Sequence, residues 1–316
     1  MFILTQKNMK NFKCIAMILL TSILVSCGTT STVPITGRKH RLSVDDATML
    51  SLSTQQYQEY LKGAKLSTNA ANTALVKKVG QRLANAVESY LTNYGFASEV
   101  QNFAWEFNLV QDNQVNAFCM PGGKIVVLEG LLPVTQNEGS LAIVLGHEIA
   151  HAVAKHSAEQ MTKANNSNVL LQIGAVAATA AGVGTEAVQT GAAIAGQGLT
   201  LLNLKYSRDN ESEADYMGLI FAAMAGYDPN VAVTFWQRMA AQSSGNVATW
   251  MSSHPSDEKR IADIQKHLPE AMQYYNAATN KTASTTTTTT SKKSTTSSKK
   301  STTTKKSTAK GFTIGK

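Results

Sequence analysis

The chain has 316 residues, with 29 Lys and Arg against 21 Asp and Glu for a formal net charge of +8, and it holds only three Cys and six His. Residues 281–316 contain nine Lys and no acidic residue, so the basicity belongs to that terminal stretch and the remainder is slightly acidic. The charge is therefore no nucleic-acid footprint, and three cysteines exclude a disulfide-stapled scaffold.

At the start of the chain, Lys7, Lys10 and Lys13 precede an apolar run from about Cys14 to Val25. The run is too short to span a bilayer and suits the apolar core of a secretory leader. It closes on Leu24-Val25-Ser26-Cys27, which resembles a bacterial lipobox. The resemblance implies a leader of residues 1–26 that is cleaved off, an acylated Cys27, and a lipidated linker over 27–42. Several acyl chains together anchor stably where one would not. Cys119 then remains the single thiol of the mature chain, a small buried hydrophobe.

Residues 43–278 are enough for one domain with a substantial core. Apolar periodicity predicts helices at about 44–63, 70–93, 135–162, 168–200, 207–225, 229–242 and 256–276, and strands at about 101–110, 115–119 and 124–129. The fold class is α+β, predominantly α-helical. Pro121-Gly122-Gly123 reads as a turn, followed by a β-branched strand through Lys124, Ile125, Val126 and Val127. As an edge strand it would hold an extended peptide by main-chain pairing; a fully paired core strand is the alternative.

Thr135 with Glu138 has the T-x-x-E spacing of a capping box, opening a largely buried helix that runs to about Met161. That helix carries His147-Glu148-Ile149-Ala150-His151, an H-E-x-x-H motif. Four residues separate the two histidines, which puts the imidazoles about 40° apart around the axis and roughly 6 Å along it, so both reach one metal ion. Glu148 is turned too far round to be a ligand but reaches a water beside the metal. From these residues alone, two ordinary buried histidines remain an alternative.

A catalytic site of this kind needs a third protein ligand. The pattern with a glycine and a third histidine downstream is excluded, because Ala154 and Ser157 stand there. His156 falls on the opposite side of a continuous helix from His147 and reads as a packing or supporting residue. Ser207 to Asp215 offers Glu211 and Asp215 one turn apart, so Glu211 could bind metal while Asp215 fixes the tautomer of a ligating imidazole. A solvated acidic helix start is the alternative.

Together these motifs resemble the M48 family of zinc metallopeptidases, of bacterial lipoprotein type. Asn116-Ala117-Phe118, Pro121 to Val127 and Gly130-Leu131-Leu132 resemble its segment before the active-site helix, and His254-Pro255 with Arg260-Ile261 resembles its H-P-x-x-x-x-R-I element. The resemblance implies a zincin-like (gluzincin) domain with a small sheet beside the active-site helix. It assigns one Zn2+ per chain to His147, His151 and Glu211, and the roles of general base and proton shuttle to Glu148. Asp215 supports a ligand, and His254 and Arg260 lie close enough to stabilise an oxyanion, with His254 also a candidate fourth ligand that blocks the site at rest. The implied reaction is hydrolysis of peptide bonds in unfolded or misassembled envelope proteins, at a membrane reached through the N-terminal lipid, most simply the outer membrane facing the periplasm. A chaperone-like or binding lipoprotein with a self-inhibited site is the second reading.

Residues 168–200 are rich in Ala and Gly, but Gln172, Glu186, Gln189 and Gln197 interrupt them, which predicts a helical hairpin rather than a membrane span. Residues 279–316 are dominated by Lys, Ser and Thr and predict a disordered tail.

Overall fold

The computed structural model describes residues 28–167, 201–241, 250, 254 and 259–290. Cys27, the 168–200 segment and Pro255 lie outside the described residues. The chain divides into one compact unit to Ala278 and a second unit from Thr279 onward.

Residues 28–42, expected as a linker, contain an antiparallel hairpin of β1 (Thr29–Thr32) and β2 (Lys39–Leu42). Val33 is buried at its turn. The reason lies in Arg38, whose guanidinium bonds Glu213 and Glu159 and so ties the hairpin to two helices. Helix α1 (Asp46–Gly63) begins at Asp45, whose carboxylate accepts the Thr48 N–H. Helix α2 (Ala70–Asn93) is capped by Asn69 and buries Val76, Val79, Gly80, Leu83, Ala84, Val87 and Leu91 along one stripe.

Three strands follow, β3 (Glu106–Val110), β4 (Ala117–Met120) and β5 (Lys124–Leu128), in the order β3-β5-β4. β3 pairs with β5 in parallel and β4 pairs with it antiparallel. The strand of Lys124, Ile125, Val126 and Val127 is thus the centre of this sheet. Both its hydrogen-bonding edges are used, which overturns the expectation that it pairs with substrate. Its continuous apolar run is the signature of a strand covered on both faces. Among the described residues, the sheet edge next to the active-site helix that has no strand partner belongs to β4.

Helix α3 (Glu138–Val153) is the core element, with Ser140 to His151 buried without interruption. Its cap is Asn137, which accepts the Ser140 N–H at 2.8 Å, not Thr135. Thr135 closes a short turn, Leu132–Thr135, and Gln136 at φ 65° separates that turn from α3. Glu138 instead pairs with Lys78 of α2. Nor does α3 run on to Met161. Lys155 adopts φ 56° and ion-pairs with Asp46 and Glu99 at 2.7 and 2.8 Å, redirecting the chain into helix α4 (156–167).

Helix α5 (Arg208–Met224) opens on a capping box between Ser207 and Asn210 and lies along α3. A Cβ on Gly146 would stand 2.6 Å from the Gly218 carbonyl oxygen, and one on Gly218 would stand 2.6 Å from the His147 nitrogen. The two backbones are therefore in contact at the level of His147. Helix α6 (Val231–Ala241) covers the end of α3 through Phe235 and Trp236. Helix α7 begins at Arg260 and its backbone is helical through Thr290, into the stretch whose composition predicts disorder. Among the described residues no helix is long and apolar enough to cross a membrane.

Gly218→Ala is expected to cost about 1–3 kcal/mol of stability through overpacking, and to lower metal affinity as well, because the clash is with His147 itself. Urea unfolding tests this; a midpoint equal to wild type would mean the crossing opens freely.

Candidate metal centre

Buried α3 points His147 and His151 at α5, from which Glu211 and Asp215 point back. The imidazole Nε2 atoms are 3.0 Å apart, and the Glu211 carboxylate lies 3.4 Å from each. His254 completes the group, its Nδ1 3.3 Å from His147 Nε2 and 3.2 Å from Glu211 Oε1. One ligand atom from each of these residues lies within 4.8 Å of all the others, and every one of the side chains is buried.

The hydrogen bonds behind the cluster show what belongs in it. His147 Nδ1 is 2.9 Å from Asp215 Oδ1, so a neutral ring donates there and turns the lone pair of Nε2 inward. His151 Nδ1 is 2.9 Å from His156 Nδ1, which leaves its Nε2 lone pair inward as well. Two lone pairs and a carboxylate then face one another in a dry interior, and a cation resolves that repulsion. Without a metal the cheapest cation is a proton. Burial opposes protonation of His147, yet bonds and charge from Asp215 and Glu211 outweigh it and lift the pKa to about 9. For His151, burial and the neighbouring His147 and His156 outweigh Glu211 and push it well below the usual imidazole range. The Glu211 carboxyl, despite burial, is held far below its ordinary value by His254, His147 and His151. The donor set of imidazoles and one carboxylate is that of a tetrahedral catalytic site.

Glu148 faces the cluster from one residue further round α3. Its Oε1 is buried, has no hydrogen-bond partner among the described residues, and is 3.6 Å from His254 Nε2. Burial raises its pKa above the usual carboxylate range. A cleft of about 440 Å³ opens beside it, lined by Asn116 to Met120 of the β4 segment, Leu201, Leu204, Tyr206 and His254.

The sequence profile of peptidase family M48 matches residues 72–268. The chain belongs to peptidase family M48. It is 39% identical over 176 residues to the mitochondrial metalloendopeptidase OMA1 of Schizosaccharomyces pombe, covering 55% of this chain and 50% of that one. To the human OMA1 metalloendopeptidase it is 28% identical over 250 residues, 76% of this chain and 46% of the other. To the β-barrel assembly-enhancing protease of Escherichia coli (strain K12) it is 29% identical over 218 residues, 66% of this chain and 42% of the other. The matches span half or less of each of these relatives.

In this M48 chain the expected residues His147, Glu148, His151, Glu211, Asp215 and His254 converge. Arg260 stands behind this cluster. It does not line the cleft, because its Nε and Nη2 donate to Asp215 at 2.6 and 2.8 Å and its guanidinium lies 3.7 Å from the Trp236 ring centroid. It secures the carboxylate that orients His147, and its Nη2 also lies 3.4 Å from the Glu211 carboxylate. Sequence reading also missed Tyr206, stacked on His151 at 4.0 Å, and Trp250, stacked on His254 at 4.3 Å. Tyr206 lies in an irregular stretch just before α5, and neither aromatic has a spacing to mark it.

Replacing Asp215 by Ala frees His147 to rotate and strips Arg260 of its main counter-ion. Metal affinity is expected to fall about 10- to 100-fold, read by competition with a chromophoric chelator.

Proposed function

We propose that this chain is a zinc-dependent endopeptidase, lipid-anchored through Cys27, that hydrolyses peptide bonds of unfolded or misassembled envelope proteins. The observation that carries the reading is the Oε1 of buried Glu148, which has no hydrogen bond among the described residues and faces a four-ligand cluster at the mouth of a cleft. His147, His151 and Glu211 would hold zinc, which supplies Lewis-acid activation of water and of a peptide carbonyl.

The remaining chemistry belongs to the chain. Glu148 takes a proton from the attacking water and returns it to the leaving amine. Its raised pKa favours both halves of that task, because a carboxylate that accepts a proton readily can hold it until the amine departs. Desolvation by Leu201, Leu204, Phe118 and Met120 keeps bulk water from competing. The edge of β4, unpaired among the described residues, offers main-chain groups to an extended peptide, so affinity comes from the backbone and sequence preference is weak. Such recognition suits unfolded chains.

Localisation at an envelope membrane rests on the lipobox-like Leu24 to Cys27 sequence. In this reading residues 1–26 are removed, 43–278 form the protease domain and 279–316 a basic tail, with no role in nucleic-acid binding. The relative from E. coli is named a β-barrel assembly-enhancing protease, which supports envelope proteins as the substrate class.

One observation favours a second reading. His254 stands within the ligand group, so it could fill the fourth position and make the protein a binding or chaperone-like lipoprotein at rest.

Glu148→Gln is expected to lower the rate of casein cleavage about 100- to 10,000-fold with metal content unchanged, and chelation should abolish wild-type activity. Wild-type cleavage no faster than that of the variant, with zinc bound, would end the peptidase reading. His254→Ala is expected to raise the rate if the ring gates the site; an equal rate removes the self-inhibited alternative.

A further inference from the structure

The proposed reaction makes no use of His156, Glu213 or Arg38, although they form one continuous chain of bonds ending on a metal ligand. His156 is wholly buried. Its Nδ1 is 2.9 Å from His151 Nδ1, and its Nε2 is 2.9 Å from Glu213 Oε2. Glu213 in turn accepts from Arg38 Nε at 2.9 and 3.0 Å, from Arg38 Nη2 at 2.6 Å and from Thr36 Oγ1 at 2.6 Å. Arg38 and Thr36 belong to the N-terminal hairpin segment, far from α3 in sequence.

The donors can be assigned from the outer end. Arg38 and Thr36 only donate to Glu213, so Glu213 is an acceptor and must receive the proton of His156 Nε2. A neutral His156 then has a lone pair on Nδ1, and the short contact to His151 requires that His151 Nδ1 carry the proton. His151 is left with its Nε2 lone pair directed at His147 and Glu211. On a straight helix a residue five positions on would be turned about 140° away. The left-handed Lys155 swings His156 back over His151 and makes the contact possible.

We propose that His156, held by Glu213 and through it by Arg38 of the hairpin, is a positioning residue for His151, fixing the tautomer and ring orientation that present Nε2 to the metal. The inference rests on reading His151 as a ligand. It gives both histidines the same kind of support. His147 is backed by Asp215 and Arg260, His151 by Glu213 and Arg38, with the His156 ring bridging the longer gap.

The test uses the full chain loaded with Co2+ and compares wild type with His156→Phe, His156→Gln and Arg38→Met. Metal affinity is measured by chelator competition, coordination by the visible absorption of the cobalt form, and folding by circular dichroism. His156→Phe fills the space but bonds to neither neighbour, and is expected to weaken metal binding about 10- to 100-fold and to shift the cobalt bands. His156→Gln, whose amide can accept from His151 and donate to Glu213, is expected to recover most of both. A folded His156→Phe protein with wild-type affinity and spectrum overturns the proposal, as does a Gln variant no better than Phe. Should His156→Phe not fold, Arg38→Met decides, at the partly exposed end of the chain of bonds: weakened binding with shifted bands supports the relay, and unchanged values overturn it. If wild type itself takes up no cobalt, the metal-site reading has failed and the positioning role falls with it.

Discussion

Everything at this site depends on two helix backbones touching. Where α3 crosses α5, neither Gly146 nor Gly218 has room for a side chain, because a Cβ on either would sit 2.6 Å from backbone atoms of the other helix. At that separation a short carboxylate on one helix reaches an imidazole on the other without bending either. Glu211 and Asp215 lie about two turns and one turn before Gly218, and so come to rest over His147 and His151. The crossing is packed from outside by α2 and α6, whose large apolar residues supply the burial that holds such close backbones together.

The same closeness sets the electrostatics. Burying Glu211, Asp215, His147, His151 and Arg260 together is costly unless each charge has a partner. Arg260 neutralises Asp215, and Asp215 in turn orients His147, so the carboxylate that remains for the metal is Glu211. A cation there completes the charge balance, and metal binding is thereby linked to folding stability. Burial protects Cys119 similarly, since desolvation pushes its thiol pKa well up and keeps it an inert part of the cleft wall.

The parts of this site legible in sequence were those fixed by spacing within one helix. His147 with His151, and Glu211 with Asp215, each share a helix face whatever surrounds them, and α2 was readable from its stripe at 70–93. Strand order was not legible, because an apolar run such as Lys124 to Leu128 announces burial without saying which strands provide it. The break at Lys155 left no signal, since no glycine marks the left-handed turn and the stabilising partners Asp46 and Glu99 are remote in sequence. The partners of Arg260 were not legible for a related reason. Its charge is spent on Asp215, and only the tertiary structure shows which carboxylate reaches it first.

The position of His254 is what sets the two proposed readings apart. Its Nδ1 faces His147 and Glu211 while its Nε2 faces Glu148, so the ring stands between the base and the cluster, where a reacting water would need to be. A water and this ring cannot both occupy that space. The ring is held by stacking on Trp250 at 4.3 Å, a contact worth about 0.5–1.5 kcal/mol beyond its burial. In the self-inhibited reading, opening the site therefore means moving this ring away from both the base and the cluster.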